Sequence, residues 1–259
     1  MKYCLSSRQS KVFLKKADEI KVQYKDIDSM YDFIEQLPDK TYIIEIPNDE
    51  NLMVNWELLK AFAEKVDLII ALRNIIMAEF CRGYDLRFYW AYPASTWFEV
   101  DSLIAMGVCY LYITAPLSMD LEQLHNKTDI PLRMCPNIAY DAYIPRDNGI
   151  CGQWVRPEDV AKYDRYVAAF EFLGVDLARE QTMFHVYAEN GNWPGNLNLL
   201  IKNLDFDIDN RVIEDEVIEA RMTCGQRCMR NGRCHLCEKA FGFYSAARHW
   251  YYQNKAKED

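Results

Sequence analysis

The sequence lacks the short motifs that bind nucleotides or that position a hydrolytic nucleophile. It contains no Gly-x4-Gly-Lys-Ser/Thr, no Gly-x-Gly-x-x-Gly and no Gly-x-Ser-x-Gly, so the common phosphate-binding loops and the nucleophile turn of hydrolases are not expected. It also lacks His-Glu-x-x-His, and its four histidines are far apart along the chain. A histidine-rich hydrolytic metal site is therefore not expected. These absences argue against a conventional peptidase.

Positive charge and long apolar runs are also scarce. The net charge of −9 gives no general attraction for nucleic acid, so we expect no extended nucleic-acid surface. No apolar run approaches the roughly 20 residues that span a bilayer, and the opening residues do not resemble a secretory signal. We therefore expect a cytoplasmic protein without membrane contact. The nine cysteines are an odd number in a reducing compartment, which argues against a disulfide framework.

Short apolar runs alternate with helical patterns along most of the chain. Such alternation predicts parallel strands joined by crossover helices. We predict an α/β fold, a (β/α) TIM-like barrel that is closed or incomplete, with a doubly wound open sheet as the alternative. The barrel is predicted over 1–215, and a Cys-rich metal-binding loop with a C-terminal helix packed on the barrel over 216–259. The predicted strands are the two segments KYCLS and EIKVQYKD, then 41–47, 66–73, 86–93, 108–116, 130–137, 166–173, 182–189 and 205–213.

Four charged residues stand within or at the ends of these apolar runs: Glu45, Arg73, Glu171 and His185. A charge in such surroundings needs a partner or a ligand, and the carboxyl ends of barrel strands form the working face. We predict that these four hold or protonate a substrate. Glu171, flanked by alanine and phenylalanine, is either a general acid or base or half of an ion pair with Arg73 or Arg211.

Further polar residues in the predicted loops are candidates for substrate binding. Trp193 lies in a segment rich in turn-forming residues, where it either stacks on a planar substrate or is a buried indole within a turn. The predicted substrate-binding residues are Asn137, Asp141, Asn190, Trp193 and Arg211.

Four cysteines, Cys224, Cys228, Cys234 and Cys237, lie within fourteen residues. The two pairs have spacings that let two thiolates reach one metal, and nearby arginines offset their negative charge. The segment is therefore predicted to bind metal. One structural zinc and a four-iron cluster both take four cysteines, so the spacing leaves both open.

Several segments resemble the collagenase-like peptidase family. They are GRCHLC, YLYITAPLSMDLEQL, IPLRMCPNIAYD, CGQWVRPEDV and AAFEF. The resemblance implies a barrel-like α/β core with a cysteine-bound four-iron cluster, and relatives that hydroxylate RNA bases or quinone precursors without oxygen. Cys135 and Cys151 stand where that family's dispersed cluster ligands are expected. This chain departs from the pattern because four cysteines are packed together and the glycine-rich stretch before Gly-Arg-Cys is missing.

Two functional hypotheses follow. In the first, an iron–sulfur barrel enzyme carries out hydroxylation or redox modification of a small-molecule, RNA-derived or other planar substrate. In the second, a non-catalytic barrel stabilised by zinc serves as an interaction or assembly subunit, and the aromatic C-terminal helix contacts a protein partner. Charged residues within strands favour the enzyme, whereas a compact four-cysteine site with no open coordination position favours the structural role.

Overall fold

The computed structural model describes residues 1–49, 51–94, 96–114, 121–137, 154–172, 176–201 and 210–212. Within these ranges, eight parallel strands alternate with helices. The strands are β1 (Lys2–Ser6), β2 (Glu19–Gln23), β3 (Thr41–Ile46), β4 (Asp67–Leu72), β5 (Phe88–Trp90), β6 (Leu111–Thr114), β7 (Leu132–Cys135) and β8 (Val167–Glu171). The helices are α1 (Lys11–Lys16), α2 (Met30–Gln36), α3 (Trp56–Ala63), α4 (Met77–Gly83), α5 (Trp97–Met106), α6 (Leu121–Lys127), α7 (Val160–Tyr163) and α8 (Leu177–Phe184).

The strands form a nearly closed barrel. Their order is β5-β4-β3-β2-β1-β8-β7-β6, and the two end strands meet through an isolated parallel bridge between Tyr89 and Tyr110. The N–H of Cys109 donates to the carbonyl of Phe88 at 2.8 Å beside this bridge. The predicted TIM-like barrel is confirmed, and the open-sheet alternative is wrong. The predicted metal loop and helix at 216–259 lie outside the described residues.

The strands are buried on both faces because helices cover their outer face and the barrel encloses their inner face. All six residues of β3 are buried, as expected for a parallel strand covered on both faces. The main core lies between the strands and the helices. A second, smaller core fills the barrel interior and consists of Cys4, Ile43, Ile69, Ala71, Tyr89, Ala91, Tyr110, Tyr112 and Cys135.

The segment 182–189, predicted as a strand, is helical. It contains the end of α8 and a π-helical turn over His185–Asn190, which stops at Gly191 with φ of 59°. The buried residues Met183, Phe184, Val186 and Tyr187 follow the helical repeat rather than a period of two. Of the strand predicted at 205–213, the described residues 210–212 form a short 3-10 turn.

No helix in the described part of the chain is long and apolar enough to cross a membrane.

Candidate active site at the carboxyl ends of the strands

Six charged side chains form one continuous chain of ion pairs inside the barrel. Alternation along each strand directs them inward, and Arg73 follows β4 directly. The order of the chain is Glu19, Arg133, Glu171, Lys21, Glu45 and Arg73, with each neighbouring pair in contact. The three cations match the three carboxylates, which allows the charges to be buried.

Lys21 occupies the centre of this ion-pair chain. Its Nζ lies 2.5 Å from Oε1 of Glu171 and 2.7 Å from Oε2 of Glu45. The second oxygen of Glu171 accepts a hydrogen bond from the hydroxyl of Tyr89 at 2.9 Å and lies 3.2 Å from Nη1 of Arg133. Both oxygens of Glu171 are therefore engaged.

The ion pairs keep Lys21, Glu45 and Glu171 charged. Burial opposes ionisation of Glu171, but Lys21 and Arg133 outweigh it and lower the pKa of this carboxyl. Burial likewise opposes ionisation of Glu45, whose pKa is lowered chiefly by Lys21. Burial alone would lower the pKa of Lys21, yet Glu171 and Glu45 raise it. Lys21 thus serves as a fixed cation and hydrogen-bond donor rather than as a neutral amine nucleophile.

We predict that acid weakens the fold partly through Glu45. Because its folded pKa lies below that of an unfolded glutamate, its contribution to stability is present above about pH 4.3 and is lost as the pH falls through the folded pKa. Urea unfolding between about pH 6 and about pH 3 should show a shallower acid slope for Glu45→Gln than for the wild type. Glu57→Gln, at an exposed position on α3, is the control. Equal slopes for all three proteins would contradict the prediction.

A cavity of about 190 Å³ opens beside the ion-pair chain at the carboxyl ends of the strands. It is lined by Cys4, Leu5, Ser6, Lys21, Gln23, Glu45, Arg73, Glu171, Phe172 and Glu180. It suits a small polar molecule better than a drug-sized one, which needs roughly 300 Å³ or more.

Unlike Glu45 and Glu171, the third carboxyl group that lines this cavity, Glu180, does not belong to the ion-pair chain. Helix α8 begins with Asp176, whose side chain caps the helix by accepting from the N–H of Arg179, and this places Glu180 above β1. Its oxygens accept from the N–H of Ser6 at 3.0 Å and from Nε2 of Gln9 at 2.6 Å.

No cation among the described residues lies within ion-pair distance of Glu180. Burial therefore dominates and raises its pKa, although the hydrogen bond from Gln9 opposes the shift. Glu171 and Glu180 thus line one cavity with pKa values displaced in opposite directions. Such a pair can divide the roles of fixed carboxylate and proton donor or acceptor.

The structure brings together three of the four residues predicted to be catalytic: Glu45, Arg73 and Glu171. The expected pairing of Glu171 with Arg73 or Arg211 is wrong, because Glu171 pairs with Lys21 and Arg133 while Arg73 pairs with Glu45. The fourth, His185, does not line the cavity. It lies on the π-helical turn with its side chain 56% exposed, and its Nδ1 is 2.6 Å from a Glu189 oxygen.

Three of the predicted substrate-binding residues, Asn137, Trp193 and Arg211, are not among the residues that line the cavity. Asn137 is buried just beyond β7, where its Oδ1 is 3.2 Å from the thiol of Cys135. Trp193 is half-buried, and its indole N–H donates to the carbonyl of Asn196 at 3.0 Å, which agrees with the interpretation of an indole within a turn. Asn190 ends the π-helical turn, and Arg211 lies exposed in the 3-10 turn.

The predicted metal ligands cannot be placed, because Cys224, Cys228, Cys234 and Cys237 lie outside the described residues, as do Cys151 and Asp141. Cys135 is buried at the end of β7. Within the described ranges, no group of three or more histidine, cysteine or acidic side chains is arranged to hold a metal ion.

Neither a protein-family model nor a curated protein matches the chain. Among solved structures, one similar chain is a cube-shaped, highly porous protein cage designed by fusing symmetric oligomeric domains. It has 13% identity and a TM-score of 0.44, over 99% of this chain and 83% of that one. Another is the 4-hydroxy-2-oxoglutarate aldolase/2-deydro-3-deoxyphosphogluconate aldolase from TTHB1. It has 10% identity and a TM-score of 0.40, over 76% of this chain and 92% of that one. At these values neither likeness bears on activity.

Proposed function

We propose that this protein is a barrel enzyme that modifies a small polar or planar molecule in the cavity beside Lys21. The observation that carries the proposal is the set of buried charges lining that cavity. Glu45, Lys21 and Glu171 contribute to it at the face where barrel enzymes place their active sites. A chain of buried ion pairs is weak evidence for stability, since well-packed apolar residues would serve as well. Their position around a cavity favours a catalytic role.

In this proposal each group in the cavity has a separate part. Lys21, kept protonated, donates to a substrate oxygen and stabilises negative charge that develops there. Glu171 stays ionised and fixes the position of Lys21. Glu180, with its raised pKa, gives or takes the proton.

The resemblance noted for the cysteine-rich segment supports a redox version of this chemistry. The donor set of Cys224, Cys228, Cys234 and Cys237 fits a four-iron cluster, and these four thiolates would hold it. When bound, such a cluster would relay electrons between the substrate and an external donor or acceptor; in a hydroxylation without O2, water would supply the oxygen atom and the acceptor would take two electrons. The chain's own cavity residues would bind the substrate and move its protons.

The compact spacing of the same four cysteines favours a second candidate function. Two closely spaced pairs can enclose one zinc ion completely, which leaves no coordination position for a substrate. In that case the metal would stabilise the fold of the C-terminal segment, and the protein would act as an interaction or assembly subunit.

Turnover of an unidentified substrate can be followed without choosing the substrate beforehand. The full-length protein, purified without oxygen, is incubated with a small-molecule cell extract in two reactions, one with a chemical electron acceptor and one with a chemical reductant, and mass spectrometry follows what is consumed. We expect one small metabolite to be depleted in one of the two reactions. With the acceptor, its product should gain one oxygen atom from water or lose two hydrogen atoms; with the reductant, its product should gain two hydrogen atoms. Glu180→Gln should slow this conversion by about a hundredfold or more, as for loss of a general acid or base.

The control for this experiment is Glu57→Gln, which changes an exposed carboxyl on α3 and should turn over the metabolite at the wild-type rate. Thermal unfolding of Glu180→Gln establishes that the variant is folded. If no metabolite is depleted, or if Glu180→Gln is as active as the wild type, the proposed catalytic site is wrong.

A further inference from the structure

Arg73 is the charged group of the ion-pair chain that is most open to solvent. Its side chain is 37% exposed, against 13% for Lys21 and 5% or less for Glu45 and Glu171. A molecule entering the cavity therefore meets positive charge first. The carboxylates of the ion-pair chain lie deeper and are already paired with cations.

The guanidinium of Arg73 has hydrogen-bonding capacity that its protein surroundings leave unused. Nη2 pairs with Glu45, whereas Nε is buried and has no hydrogen-bond partner among the described residues. A buried donor without a partner is unfavourable. Five N–H groups in one plane suit a planar anion bound through two parallel hydrogen bonds.

An aromatic ring holds this guanidinium in place. Its central carbon lies 5.4 Å from the ring centre of Tyr92, within the range of a cation–π contact. Contact with the face of the guanidinium leaves its edge uncovered by the ring, and Nη1, which pairs with no described residue, remains available there for a ligand. Tyr92 follows β5 and is itself half exposed at the rim.

We infer that the cavity takes a small carboxylic acid as its substrate, with the carboxylate bound by Arg73 at the rim. This inference rests on the proposed function and names its substrate class. The rest of the molecule extends inward, where Lys21 donates to a hydroxyl or carbonyl oxygen beside the carboxylate. The cavity volume of about 190 Å³ suits a small acid. One guanidinium edge can engage both oxygens of a carboxylate, whereas a phosphate would leave further oxygens without a donor from Arg73.

Binding of three small probes tests the inference on the full-length protein. Glycolate carries a carboxylate and a neighbouring hydroxyl, glycolamide is its neutral counterpart, and inorganic phosphate represents the rival anion. Titrations followed by nuclear magnetic resonance should show glycolate binding at least about tenfold more tightly than glycolamide, as expected for charged hydrogen bonds. Phosphate should bind more weakly than glycolate.

Substitutions at Arg73 show whether the binding is specific. Arg73→Gln should weaken glycolate binding at least about tenfold, and Arg73→Lys should restore only part of it because lysine lacks the planar fork. Arg87→Gln is the matched control. Arg87 pairs with Asp67 at the opposite, amino-terminal end of β4, and its loss should leave glycolate binding unchanged.

Three results would overturn the inference: no glycolate binding, equal binding by wild type and Arg73→Gln, or tighter binding of phosphate that also depends on Arg73. A turnover experiment that identifies a metabolite without a carboxylate would also overturn it, while leaving the proposed function intact. Conversely, glycolate binding that depends on Arg73 in a protein that consumes no metabolite would leave the carboxylate site standing and remove the proposed function.

Discussion

Replacing Arg133 with methionine is expected to lower the free energy of unfolding by about 3–5 kcal/mol, the cost of breaking a buried ion pair from one side. Arg133 and Glu19 are fully buried, and among the described residues Arg133 is the only cation that contacts Glu19. Without it, the Glu19 carboxylate must lie unpaired in the barrel interior or take up a proton. The guanidinium carbon of Arg133 also lies 5.0 Å from the ring centre of Tyr89 and 5.1 Å from that of Tyr110. Methionine can pack against these rings but has no charge for a cation–π contact.

A double variant distinguishes the effect of an unpaired Glu19 charge from the effect of lost packing around Arg133. Glu19→Gln combined with Arg133→Met removes the uncompensated charge, so this protein should recover a large part of the stability that Arg133→Met loses. The surface control is Arg87→Met, whose partner Asp67 is about half exposed and whose loss should cost less than about 1 kcal/mol. Urea unfolding of the four proteins gives the comparison. A loss below about 1 kcal/mol for Arg133→Met would contradict the proposed arrangement of charges in the interior.

The alternation of apolar runs and helical patterns was sufficient to predict the barrel and most of its strands. Parallel strands that are covered on both faces are recognisable in the sequence as nearly continuous apolar runs, as in TYIIEI of β3. The error at 182–189 has a physical reason. The segment spans only about two helical turns, and in so short a window the apolar residues Met183, Phe184, Val186 and Tyr187 resemble the apolar run of a buried strand. The exposed residues Thr182, His185 and Glu189 lie on the opposite face at helical spacing.

The candidate site was only partly predictable. The principle that singled out Glu171, a charge within an apolar strand, applies equally to Lys21 between Ile20 and Val22 and to Arg133 between Leu132 and Met134. Those two could have been found from the sequence. Glu180 could not, because nothing in an ordinary helical segment indicates that this carboxyl is buried against the ends of the strands. That position depends on how α8 packs over β1.

The proposed metal site is expected to depend on the four clustered cysteines. Replacing Cys228 and Cys237 with serine removes one thiolate from each closely spaced pair, so the variant should lose nearly all of its bound metal. Cys109→Ser is the control. Burial raises the pKa of the Cys109 thiol to about 11, which keeps it protonated and unsuited to metal binding, so this variant should bind as much metal as the wild type. Metal analysis of the three purified proteins gives the comparison, and unchanged metal in the double variant would exclude the cluster as the site.

The most direct test of the central claim, a barrel enzyme with an iron–sulfur centre, is the metal and sulfide content of the wild-type protein together with its visible spectrum. The protein should be purified without oxygen and measured before and after exposure to air. We expect about four iron and about four sulfide per chain, with a broad brown absorbance that fades in air. One zinc per chain with no visible absorbance would contradict the redox enzyme and favour the zinc-stabilised assembly subunit.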